Sequence, residues 1–140
     1  MYWQSTKSRS LSQQRNELLA RFPDSRIGFE TPSGFRWYCE LQPNEDSPFY
    51  TIRIDWFPAK MSYPEVYVCK PKTLRLHPGA KKLPHVWDNE KQKLCLHVRF
   101  EWDKSKSIAS YYVPWTIDWL YYYEAWYVTG EWLGGGHEEQ

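Results

Sequence analysis

The sequence predicts a mixed α+β fold: an amphipathic helix, an antiparallel sheet, a long irregular loop and a second, strongly aromatic helix. Three observations carry that prediction. Ser10-Leu11-Ser12-Gln13 has the form of a capping box ahead of a narrow apolar stripe. Residues 36–41 and 50–56 alternate polar and apolar side chains with the period of a strand. From Pro114 onward, aromatic and aliphatic residues cover nearly every side of a helix.

In the first element, Leu11, Leu18, Leu19 and Phe22 recur at helical spacing and Pro23-Asp24 ends the run, which places a helix over 11–22. The period then changes. Trp37, Cys39 and Leu41 alternate with Arg36, Tyr38 and Glu40, which sets Cys39 on the inward face. After the turn at 43–48, Tyr50, Ile52, Ile54 and Trp56 alternate with Thr51, Arg53 and Asp55. Phe57-Pro58 closes that strand, and a third is expected from Glu65 to Cys69. Short turns between these strands imply an antiparallel meander with the helix on one face. Pro71, Pro78, Gly79 and Pro84 then forbid long regular elements. Loops of this length are usually functional or disordered, and this one carries His77, His85, His97 and Cys95. Pro114 suits the first turn of the second helix. Trp115, Trp119, Tyr122 and Trp126 form its stripe, and Gly130 or the run Gly134–Gly136 ends it. Such a helix is either central to the fold or part of an interface.

The chain has 140 residues and a mass of 16.9 kDa, the size of one domain spanning 1–140, with loose ends expected at about 1–9 and 134–140. Its 18 basic and 17 acidic residues leave a formal charge of +1, so no strong field favours nucleic acid or an anionic membrane. The 9 Trp, 11 Tyr and 6 Phe exclude general disorder. An aromatic platform for single strands needs interleaved basic residues, and none occurs from Pro114 to Gln140. No apolar run reaches the roughly eighteen residues of a membrane span. The opening segment lacks the apolar core of an export signal. A reduced cytoplasmic setting is therefore expected.

Cys95 lies between Leu94 and Leu96. A cysteine so placed is most often a small buried hydrophobe; as a nucleophile it needs access and a way to expose the thiolate. His77, His85, Cys95 and His97 are metal-ligand types, but only Cys95-x-His97 is closely paired, so neither a metal nor a cofactor is expected. Cys69 sits beside Lys70-Pro71 with no chemistry attached to it. No phosphate-binding Gly-rich loop, nucleophile elbow or zincin motif is present. Gly134-Gly135-Gly136 runs on into His-Glu-Glu-Gln and reads as a flexible end, not a ubiquitin-like tail.

Taken together, the order of elements resembles ubiquitin-conjugating (E2) enzymes over about residues 10–130. His85 stands ten residues before Cys95, as the histidine of the family's His-Pro-Asn motif stands before its active cysteine. Leu94-Cys95-Leu96 matches the family's Ile/Leu-Cys-Leu, and Trp102 follows seven residues later. Pro84-His85, Glu101-Trp102, Pro114-Trp115, Trp119-Leu120, Tyr123-Glu124-Ala125-Trp126 and Thr129-Gly130-Glu131-Trp132 narrow the resemblance to bacterial stand-alone E2-like proteins of anti-phage CBASS operons.

The resemblance implies a UBC-like fold with a four-stranded antiparallel meander. It also implies a thioester between Cys95 and the C-terminal glycine of a protein, and transfer of that acyl group to an amine. The implied partner is the C-terminus of a cGAS-like nucleotidyltransferase, or a ubiquitin-like protein, with a separate E1 as one source of activation. His85 is expected to act as a scaffold for the active segment, and His97 to touch the acyl group or tune Cys95. Asp103 is a candidate for orienting the amine. Where the family has its oxyanion asparagine this chain has Trp87, with Asn89 or a backbone amide as substitute. The family's two further C-terminal helices are not expected here, which makes the second helix, through Trp115, Trp119 and Trp126, a candidate partner surface. Two other readings stand beside conjugation: a non-catalytic E2-like scaffold, for which Trp87 argues, and a cysteine hydrolase using His85 or His97.

Overall fold

The computed structural model describes residues 7–96 and 101–134. In chain order the elements are α1 (Leu11–Arg21), β1 (Arg26–Thr31), β2 (Gly34–Leu41), β3 (Tyr50–Trp56), β4 (Glu65–Lys70), β5 (Val86–Asp88), β6 (Lys93–Leu94) and α2 (Ile108–Thr129). The six strands form one antiparallel sheet in the order β1-β2-β3-β4-β6-β5.

The sheet thus has six strands where four were expected. β1 is an edge strand whose side chains are mostly solvent-facing, so it lacks the alternation that marks a half-buried strand. Its register breaks between Ile27 and Phe29. Gly28 sits at that break because the Tyr38 ring lies over it: a β-carbon there would come within 2.4 Å of Cε1. β5 and β6 are three and two residues long, too short to show any period.

The capping box at α1 forms as read. The Ser10 hydroxyl accepts from the Gln13 amide at 3.0 Å, and the Ser10 amide donates to Gln13 Oε1 at 2.8 Å. The inward rows of β2 and β3 pair Phe35 with Trp56, Trp37 with Ile54 and Cys39 with Ile52. With Val66 and Val68 of β4 they form the core against α1 and α2. Trp56, Trp102 and Tyr112 stack edge to face through it at 5.4 and 5.3 Å.

The second helix differs from expectation at its start. It begins at Ile108 with Ser107 as its cap, and Pro114 lies inside it. Ile108, Ala109, Tyr112 and Val113 are buried, and that burial holds the turns ahead of an exposed proline that forgoes one helical hydrogen bond. Buried Gln14 of α1 completes the start: its Oε1 accepts from the Ile108 amide at 2.9 Å, and its Nε2 donates to the Lys106 carbonyl at 3.0 Å. The helix ends at Gly130, which is left-handed (φ 84) and returns its N–H to the Trp126 carbonyl. It is buried along one side only; Tyr121 and Val128 are 51% and 74% exposed. Arg9, inside the segment expected to be loose, is held to Glu17, to the Lys104 carbonyl and to the Ser105 carbonyl.

Candidate functional site

The β5–β6 hairpin turns a ten-residue spacing into contact. Val86 pairs with Leu94, so His85 just before β5 and Cys95 just after β6 lie across from one another. The Cys95 amide donates to the His85 carbonyl at 3.1 Å. The same carbonyl accepts from the Trp119 indole of α2 at 3.0 Å. His85 is left-handed, with φ 48, a conformation that residues with a β-carbon adopt rarely and under constraint. Its backbone carbonyl thus joins the Cys95 segment to α2, while its ring stacks on Trp132 at 4.8 Å. The Cys95 side chain is buried, at 4% exposure.

The turn between the two strands is fixed by amides. Asp88 Oδ1 accepts from the Lys91 amide at 2.9 Å, and Asn89 Oδ1 accepts from the Leu83 amide at 2.7 Å. Gln92, left-handed at φ 55 and buried, joins the hairpin to the loop after β4. Its Oε1 accepts from the Leu74 amide at 2.6 Å, and its Nε2 donates to the carbonyls of Val68 and Pro71 at 3.0 and 3.2 Å. Lys93 adds an ion pair to Glu65 at 3.2 Å, and Glu65 also accepts from the Tyr67 hydroxyl. Gln92 went unread in the sequence because a glutamine amid polar turn residues carries no pattern of burial.

The other expected residues are distributed as follows. Trp87 is 63% exposed on β5. Asp103 lies in the exposed loop before α2, where the hydroxyl and amide of Ser105 donate to its Oδ1. Those donors hold its carboxyl below the ordinary value. His97 lies outside the described residues. Of the three tryptophans expected to meet a partner, Trp119 and Trp126 are core residues and Trp115 is half-buried. Trp119 and Trp126 turn inward against His85 and His77 of the loop after β4, which leaves Tyr111, Tyr121 and Val128 outward.

The remaining candidates are accounted for by their neighbours. His77 Nδ1 lies 3.0 Å from the Tyr127 carbonyl. Burial pushes the Cys39 thiol up to about 11 and raises that of Cys69. Among the described residues no three His, Cys, Asp or Glu gather as a metal would require, and no helix is long and apolar enough to cross a membrane.

The hairpin at Cys95 and His85 thus holds the cysteine by its backbone amide on a compact turn, tied to the sheet through Gln92 and to α2 through Trp119. No curated protein matches the sequence. The family model described as "Type II CBASS E2 protein" matches residues 14–140, nearly the whole length, and the chain belongs to that family.

Proposed function

We propose that this protein is a cysteine-dependent acyl carrier with a UBC-like fold, acting in CBASS anti-phage defence in the bacterial cytoplasm. Cys95 accepts the C-terminal glycine of a protein, a cGAS-like nucleotidyltransferase or a ubiquitin-like partner, and passes it to an amine. The supporting observation is the hydrogen bond from the Cys95 amide to the His85 carbonyl, in a member of the CBASS E2 family. It fixes the thiol-bearing residue at the end of a rigid hairpin, the kind of placement that group transfer between macromolecules requires.

The chemistry suits sulfur. With the donor delivered as a thioester on an activating enzyme, Cys95 Sγ bonds to the acyl carbon, the donor's C–S bond breaks, and the Cys95 proton leaves with the departing thiol. A lysine amine then attacks the new thioester: a C–N bond forms, the bond to Sγ breaks, and the amine loses its proton as Cys95 recovers one. The tetrahedral intermediates need a donor for their oxyanion. Asn89, whose carbonyl oxygen is committed to Leu83, keeps its NH2 group for that role, with Trp87 or a backbone amide as the other sources. His97 and Asp103 are assigned to tuning the thiol and orienting the amine.

A binding scaffold without catalysis is favoured by two observations: Cys95 is nearly inaccessible, and Trp87, which the resemblance sets against the family's oxyanion asparagine, is exposed. Replacing Cys95 by Ala separates the two readings. A carrier loses both its thiol-labile adduct on non-reducing gels and its defence activity, whereas a scaffold keeps its activity.

A further inference from the structure

Past α2 the chain turns back along its own helix. Gly130 lies so close to His77 that a β-carbon there would come within 2.8 Å of Nε2. The turn is completed by the Thr129 hydroxyl, which accepts from the Glu131 amide at 3.0 Å. It brings Trp132 against Trp119 at 5.7 Å, Tyr122 at 6.0 Å and His85 at 4.8 Å, the last pair stacked within 24° of parallel. Gly134 follows against Tyr122. His85 is the residue whose carbonyl receives both the Cys95 amide and the Trp119 indole. Its left-handed backbone persists only while its surroundings hold it. Trp132 is half-buried and Leu133 mostly exposed, so this strap can leave the surface while the core stays closed.

We propose that Trp132 is a positioning residue: by stacking on His85, the strap 130–134 holds the Cys95 segment closed, and lifting Trp132 makes the thiol reachable. This rests on Cys95 being the reacting thiol, and it adds a regulatory step to that reading. A partner that engages the end of α2 gains control over Cys95 without touching it.

The test is site-resolved alkylation of the whole chain by iodoacetamide at about pH 8, with rates at Cys39, Cys69 and Cys95 read by peptide mass spectrometry. Trp132→Ala is expected to raise the Cys95 rate about tenfold, the size of a lost aromatic coupling expressed as an opening equilibrium. Cys39 and Cys69 should keep their wild-type rates, and Trp132→Phe should restore Cys95 protection. A rise at all three cysteines would show a merely structural role and overturn the proposal, as would an unchanged Cys95 rate. Alkylation needs no acyl donor, so the two ideas fail separately. A selective rise without any thioester in the wild type sinks conjugation alone; a thioester with unchanged alkylation sinks the strap alone.

Discussion

Replacing Gln92 by Ala removes a buried amide that three backbone groups depend on. The substitution keeps the backbone bonds of residue 92, from its amide to the Asn89 carbonyl and from the Val68 amide to its carbonyl. It strands the Leu74 N–H and the Val68 carbonyl in the interior, while the Pro71 carbonyl is partly exposed and can turn to water. Each buried orphan costs about 1–3 kcal/mol. A loss of about 3 kcal/mol follows, because alanine leaves room for water to recover part of the deficit. The left-handed backbone adds nothing, since both residues carry a β-carbon. At the usual unfolding entropy, a chain of 140 residues changes by about 0.3 kcal/mol per degree, so Tm should fall by about 10 °C. Thermal and urea unfolding measure this directly. Gln92→Leu fills the space but keeps the orphans, so it should be no more stable than Gln92→Ala. A drop of less than about 2 °C, or recovery by Leu, would refute the claim that hydrogen bonds, and not volume, hold the hairpin to the loop after β4.

Two further outcomes follow from the site. Trp119→Phe deprives the His85 carbonyl of one of its two donors at a cost of about 1–2 kcal/mol. Exchange of the Cys95 amide should then accelerate more than exchange in β2 and β3; equal acceleration would contradict the role given to the indole. Asp103 is held below its ordinary value by the Ser105 hydroxyl and amide. Its contribution is therefore present above the unfolded carboxylate value of about 3.9 and is lost as pH falls through the lowered value. The stability gap between wild type and Asp103→Ala should shrink in urea titrations from about pH 7 to about pH 2.5, and a gap that widens in acid would contradict it.

The parts of the fold that were legible are those where one face is wet and the other dry. The alternation at 36–41 and 50–56 gave β2 and β3, and the Ser10 box gave α1, because burial there repeats with the backbone's own period. β1 escaped because an exposed edge needs no apolar row, and β5 and β6 because two or three residues have no period at all. Pro114 misplaced the start of α2: tertiary burial of Ile108 to Val113 outweighs the local preference for proline in a first turn. The aromatic stripe announced a helix but not which side it buries, so Trp119 and Trp126 stood as candidates for a partner as well as for the core, where the structure packs them. At the site, the spacing of His85 and Cys95 was legible only through the resemblance to E2 enzymes; the hairpin that brings the two together was not, because β5 and β6 show no period. Nor were the hydrogen bonds of Gln92 and the stacking of Trp132, since both depend on chain segments far away in sequence.

The central claim is that Cys95 carries an acyl group. It is tested most directly by intact mass spectrometry of the protein purified without reductant after co-expression with its operon neighbours. An added mass equal to a partner protein less one water, released by thiol and absent from Cys95→Ala, is the expected result. The same mass on Cys95→Ala, or no added mass on either form while defence activity survives the mutation, would contradict it.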